Sequence, residues 1–318
     1  MTSNLTKKKE PMIPNKIRIG TRRSPLAMWQ SKYIEGLLLG KWTELQIEIV
    51  PIITTGDRIT NVPLPKIGDK GLFTREIEEQ LLLGEIDLAV HSLKDLPTSL
   101  PDGLIYAGSP KRADARDAFI STKWKKLAEL PKNGTIATGS LRRKAQIAAI
   151  KNEIRFADLR GNIDSRLRKL DEFGYDGILM AAAALQRLER ADLITEFLAP
   201  ETFIPAVGQG AIGIETQANR DDLQELLLPI LDADTILCCR AERAFMCTLE
   251  GGCSIPLGAW ATISDEHIHL SAFLGSPDGS RTIRNSLLFP KSNPEEAGIE
   301  LAKIFLNEGA RDILESLK

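Results

Sequence analysis

The chain has 318 residues, 43% of them hydrophobic and 26% charged, which is enough for a sizeable core and favours two or three domains over one. A formal net charge of −2 gives no global drive toward nucleic acid, and no apolar run is long enough to span a membrane. The first fifteen residues, MTSNLTKKKEPMIPN, are polar and lack the apolar centre of an export signal. They read as a disordered tail on a cytoplasmic protein.

KIRIG, at 16–20, reads as a strand. SPLAMWQSKYIEGLLLG follows as a helix, with Ser24 at the N-cap, Pro25 at the first helical position and a glycine at its end. LQIEIVPII is a second strand, FTREIEEQLLLGE an amphipathic helix capped by Thr74, and IDLAV a short buried strand. Strands alternating with helices predict a parallel sheet covered on both faces. After Pro110 the pattern resumes: DAFIST, GTIATG, EIRFAD and DGILMA are strands, and SLRRKAQIAAIK, NIDSRLRKLDEF and AAALQRLERA are helices. PAVGQGAIGIETQ then supplies a strand that returns the chain to the first domain, before a helix, DDLQELLLPIL. From about Asp232 the grammar changes to one long helix, three alternating runs joined by hairpin signals, and two closing helices. Three units result: 16–110 with 206–229, then 111–205, then a small α+β domain at 232–318.

Two segments share one construction. RIGTRRSPLA offers Arg22, Arg23 and Ser24, and IATGSLRRKAQ offers Thr138, Ser140, Arg142 and Arg143. Each places paired arginines where a strand gives way to a helix, whose free N–H groups and positive dipole end favour anions. Neither is a nucleotide loop, since GxxxxGK[ST] and GxGxxG are both missing. Arg160, Arg166 and Arg187 add charge at further strand-to-helix junctions, the edge where open α/β sheets bind ligands. The arginines together point to a ligand with many negative groups, although singly Arg166 and Arg187 could lie on exposed helix faces.

AVHSLKDLP packs His91, Ser92, Lys94 and Asp95 into five positions. A hydrolase triad is assembled from distant segments. In an extended chain His91 and Asp95 would point one way, Ser92 and Lys94 the other. Ser92 and Lys94 therefore join the anion-binding set. Asp95, one carboxylate among cations, suits a cationic intermediate or a proton transfer, with a structural ion pair as the plainer alternative. His91 fits a packed core histidine. In LEGGCSIP, Cys253 follows two glycines that permit close approach of a bulky group, whereas Cys238, Cys239 and Cys247 read as small buried residues of the preceding helix. With three histidines, at 91, 267 and 269, and no C-x-x-C pair, no metal site is expected. Arg58 to Phe73, rich in Pro, Gly and Lys, has the length of a lid or of a plain insertion.

Taken in order, TRRSPLA, KGLFTREIE, AVHSLKDLP, GSLRRKAQ, LRGNIDSRL, PAVGQGAIGIE and AERAF…LEGGCSIPLGA closely resemble the porphobilinogen deaminase (hydroxymethylbilane synthase) family, from about Ile17 to the C-terminus. The resemblance implies an α/β fold of two type II periplasmic-binding-protein-like domains with parallel-rich sheets, plus the small C-terminal domain. It implies a transferase that condenses four porphobilinogen molecules into hydroxymethylbilane with loss of ammonia. It also implies a dipyrromethane cofactor joined by a thioether to Cys253. Lys94, Asp95, Thr138, Ser140, Arg142 and Arg143 look like cofactor ligands. Arg22, Ser24, Ser92, Arg160, Arg166 and Arg187 look like ligands of the substrate's acidic arms, and Asp95 matches the catalytic aspartate. A monomer is implied whose product passes to uroporphyrinogen-III synthase, with neither nucleic acid nor membrane as partner. Gly139, Ala113 and Ala184 depart from the usual Ser, acidic residue and Gly. None of these removes a charged ligand. A non-catalytic anion-binding protein of the same two-lobed type would also use the arginines, but it would need neither Cys253 nor Asp95. A nucleic-acid binder is opposed by the net charge and the lack of an aromatic platform.

Overall fold

The computed structural model describes residues 13–58, 71–249 and 255–317. Residues 1–12 of the expected tail (1–15), residues 59–70 of the Arg58–Phe73 segment expected as a lid or insertion, and Cys253 lie outside the described residues. In chain order the elements begin β1 (Lys16–Arg22), α1 (Pro25–Leu39), β2 (Gln46–Ile52), α2 (Thr55–Arg58), α3 (Arg75–Leu82), β3 (Leu88–Ser92) and β4 (Leu104–Gly108). There follow β5 (Asp117–Ile120), β6 (Thr135–Ala137), α4 (Leu141–Ile150), β7 (Arg155–Ala157), α5 (Ile163–Glu172), β8 (Gly177–Ala181), α6 (Ala182–Arg187) and β9 (Glu196–Leu198). The chain closes with β10 (Ile212–Gln217), α7 (Asp221–Leu227), α8 (Ala233–Thr248), β11 (Leu257–Ser264), β12 (His267–Gly275), β13 (Thr282–Pro290), α9 (Pro294–Asn307) and α10 (Ala310–Glu315).

Two sheets carry the same plan. The first runs β2-β1-β3-β10-β4 and the second β7-β6-β8-β5-β9. In each, three neighbouring strands are parallel, the fourth is antiparallel and the fifth pairs antiparallel to the fourth. The sheets are thus parallel-rich, as expected, with two antiparallel pairings in each that the local strand–helix alternation did not predict. The cause is that β10 and β5 each enter on a crossing between the two sheets rather than through a helix of their own sheet. The strand order places β10 between β3 and β4, which is the return anticipated from PAVGQGAIGIETQ. Trp42 Nε1 also donates to the Leu226 carbonyl at 3.0 Å, tying α7 to the first unit. β4 and β9 went unread in the sequence, because both are short and each leads across to the other sheet, β4 into β5 and β9 into β10, with no helix following it.

Helix starts follow local chemistry. The Ser24, Ser140, Asn162 and Asp232 side chains accept from backbone N–H groups three residues on, with Pro25 at the head of α1. Thr74 occupies the cap position of α3, but its side chain makes no capping hydrogen bond, which corrects the expectation for it. The third sheet, β11-β12-β13, is an antiparallel meander. Its inward residues Ile268, Leu270, Ala272 and Leu274 pack on α8 and α9, where Phe245 meets Phe305 edge to face at 5.0 Å.

Candidate functional site

The HSLKD segment is not extended throughout. β3 ends at Ser92, and Leu93–Asp95 form one turn of 3-10 helix. The alternation expected beyond Ser92 therefore stops there. His91 is buried, with Nε2 at 3.2 Å from Glu215 Oε2, in keeping with a core histidine. Ser92 Oγ accepts from Gln30 Nε2 at 2.9 Å. Leu93 anchors the turn in the core, leaving Asp95 exposed at its end.

Across from this turn stands the second sheet. Lys94 lies within electrostatic range of Asp95, Arg143, Asp117 and Arg142. Arg166 lies within range of Arg143, Asp95 and Arg160. Five cations and two carboxylates from two different sheets thus share one cleft. Lys94 still touches solvent there, but protein crowds its ammonium. Burial first, then Arg143 and Arg142, lowers its pKa to about 8. Burial and the neighbouring Arg143 likewise bring Arg166 down to about 10.

The paired arginines of α4 are more deeply held than a helix-start grip implies. Both are nearly inaccessible, and both turn inward onto Asp117 at the start of β5, itself 0% exposed. Arg142 Nη1 donates to Asp117 Oδ2 at 2.7 Å and to the Ile204 carbonyl at 2.7 Å. Arg143 Nε donates to Asp117 Oδ1 at 2.9 Å, and its Nη1 to the Leu179 carbonyl at 2.8 Å. Burial alone would raise the Asp117 carboxyl, but the two guanidinium charges hold it well below the ordinary 3.8. One carboxylate cannot neutralise two guanidinium groups, and each guanidinium has five N–H donors, so positive charge and donors remain. Ser140 Oγ accepts from Arg143 N, and Thr138 Oγ1 from Ser140 N at 3.2 Å. Among the described residues, neither hydroxyl donates to a side chain or carbonyl.

Arg22 and Arg187 have resident contacts too. Arg22 forms an ion pair with Asp57 at 2.5 Å and lies over the Phe73 ring at 4.2 Å. With Ser24, Ser92 and Asp95 it lines a cavity between β1, β3 and the start of α3. Arg23 is exposed. Arg187 Nη2 donates to the Gly210 carbonyl at 2.7 Å, and its guanidinium lies over Trp29 of α1. Burial lowers its pKa to about 10. Neither Arg166 nor Arg187 lies on an open helix face. Asp57, Asp117 and Gln30 were not read from the sequence. Asp117 had a usable signal, since a carboxylate opening an otherwise apolar strand must be paired.

Of the helix cysteines, Cys238 and Cys239 are buried, and burial pushes their thiols up to about 12. Cys247 is exposed, contrary to expectation. It falls seven residues after Arg240, two helical turns along the outward face of α8, where Arg240 pairs with Glu295. No helix among the described residues is long and apolar enough to cross a membrane.

Two family models match the chain. "Porphobilinogen deaminase, dipyromethane cofactor binding domain" matches residues 17–225, and "Porphobilinogen deaminase, C-terminal domain" matches residues 236–307. A porphobilinogen deaminase of Chlorobaculum parvum is 46% identical over 95% of this chain and 98% of its own length. One of Chlorobaculum tepidum is 45% identical over 94% and 97%. Among solved structures, the methionine-binding protein MetQ aligns with 68% of this chain and 90% of its own, at 14% identity and a TM-score of 0.42.

Proposed function

Because the chain belongs to the porphobilinogen deaminase family, we propose a division of labour in its cleft for making hydroxymethylbilane from porphobilinogen. The reaction joins four substrate molecules head to tail and releases ammonia. Each pyrrole carries two acidic arms, so the growing chain is a polyanion. The observation that carries the reading is the excess of cations over carboxylates where the two sheets face one another.

The donor set fits a dipyrromethane. Lys94, Arg142 and Arg143 offer charge, and Thr138 and Ser140 offer hydroxyl donors, all around Asp117 and Asp95. Cys253 is the proposed attachment point, and the bound dipyrromethane supplies the pyrrole carbon on which the product is built. Arg22, Ser24, Ser92, Arg160, Arg166 and Arg187 hold the acidic arms of incoming substrate. The arginines do so bidentately. Their resident partners, Asp57 for Arg22 and a single carbonyl for Arg187, leave donors unused. Asp95 accepts from pyrrole N–H groups, and its charge offsets the positive charge that develops on substrate as ammonia departs. What supports this role is its position at the exposed end of a short turn anchored by buried Leu93.

We further assign one domain to each sheet, a cytoplasmic location, a monomeric state and hand-over of product to uroporphyrinogen-III synthase. Native mass spectrometry of Arg166→Leu and Arg187→Leu with substrate tests the division of sites. Arg166 belongs to the Asp95–Arg143 cluster, whereas Arg187, at the end of α6 on the same sheet, sits instead against Trp29 of α1 and the Gly210 carbonyl. The first variant is expected to fail at cofactor loading or the first addition. The second is expected to keep its cofactor and accumulate a later enzyme–pyrrole species. Identical species in both would contradict separate carboxylate sites.

A further inference from the structure

The layer between the first sheet and α3 is apolar, built from Ile52, Ile77, Leu81, Ile86, Ala89 and Leu104, except for three ionisable side chains. Leu88 and Val90 of β3, with Ile212 and Ile214 of β10, belong to the core on the α1 side. Strand alternation therefore turns His91 and Glu215 toward α3. They are diagonal neighbours on adjoining strands, since Gly213 pairs with His91 and Glu215 with Ala89. From α3, Glu78 closes over them. His91, Glu215 and Glu78 are 5%, 0% and 6% exposed. His91 Nε2 lies 3.2 Å from Glu215 Oε2. Oε1 of Glu215 and Oε1 of Glu78 have no hydrogen-bond partner among the described residues.

Two carboxylates and one imidazole in a dry layer carry net negative charge even when all are ionised. Holding one further proton removes that cost. Burial raises the Glu78 carboxyl, and the Glu215 charge on β10 adds to this. Thr74, His91 on β3 and Arg75 on α3 itself pull the other way and are outweighed. The same elements wall the cavity beside Asp95, through Phe73 and Thr74 at the head of α3 and through His91 and Ser92 on β3.

We propose that Glu78, His91 and Glu215 form a buried proton-holding cluster that seats α3 against the end of β3, making Glu78 and Glu215 positioning residues for the reaction at Asp95. The proposal rests on the reading of Asp95 given above. A carboxyl raised in the folded state stabilises fully below its ordinary value, 4.5. That contribution is lost as pH climbs through the raised value. Glu78→Gln stays neutral throughout.

The test compares the full-length, cofactor-loaded wild type with Glu78→Gln and Glu215→Gln, from about pH 5 to about pH 8, by melting temperature and steady-state kinetics. The melting temperature of Glu78→Gln relative to wild type is expected to rise with pH. Its kcat relative to wild type should rise about threefold or more over the same range, with the KM ratio flat. Glu215→Gln, which removes the charge facing Glu78, should show a weaker pH dependence of melting than wild type. Ratios flat with pH in both variants overturn the proposal, as does failure of the near-isosteric neutral Glu78→Gln to fold. Full activity in Asp95→Asn would sink the reading of the site, yet leave the melting comparison able to judge the cluster.

Discussion

Asp95→Asn is expected to lower kcat by about 100-fold or more, the size seen when one preorganised electrostatic group is removed from a reaction site. The substitution keeps the shape of the side chain and changes only its charge. On the proposed assignment other residues, chiefly Arg22, Arg160, Arg166 and Arg187, hold the substrate's arms, so KM should move much less than kcat. The residue ends a turn whose neighbours Leu93 and Leu96 are buried, so the backbone that presents it should not shift. Hydroxymethylbilane formation under steady-state conditions is the measurement. A rate within a few-fold of wild type would remove Asp95 from the chemistry and leave it as a partner of Lys94 and Arg166.

The largest expected effect on stability belongs to Asp117→Asn. Its carboxylate is the common partner of Arg142 and Arg143, and all three side chains are nearly fully buried. Losing that charge leaves two guanidinium groups facing each other in a dry layer, which costs about 3–5 kcal/mol. The pH dependence follows from the depressed pKa of Asp117. Its contribution is present above the ordinary value of 3.8 and lost as pH falls through the lower folded value. Wild type and variant should therefore differ most at neutral pH and converge on acidification. Urea melts at several pH values measure this. A neutral-pH difference below about 0.5 kcal/mol would place the pair among surface-like ion pairs and contradict the burial argument.

Much of the fold was legible from the chain because its signals are local. Ser24–Pro25 and Ser140 cap helices as their types dictate, and the alternation of HIHLSAFLG fixes which face of β12 is inside. What was not legible depends on partners far away in sequence. The antiparallel entry of β10 and β5 follows from crossings between sheets, which no local pattern records. Arg142 and Arg143 were read as facing a ligand directly, but Asp117, about 25 residues upstream, turns them inward. His91 was read correctly as a core residue, whereas its partners Glu215 and Glu78 could be found only once β10 and α3 were placed. Cys247 shows the opposite limit. A small sulfur residue in an amphipathic helix reads as buried, but its register with Arg240 puts it outside.

That exposure sharpens the test of the central claim, a primer held covalently at Cys253. Cys247 is an accessible thiol only six positions away in sequence and is the natural competitor for attachment. Intact mass spectrometry of purified wild type, Cys253→Ser and Cys247→Ser separates them. The account predicts wild-type mass above that of the bare chain by one dipyrromethane, the same adduct on Cys247→Ser, and the bare chain alone for Cys253→Ser. An adduct retained by Cys253→Ser, or a wild-type protein at the mass of the unmodified chain, would contradict it.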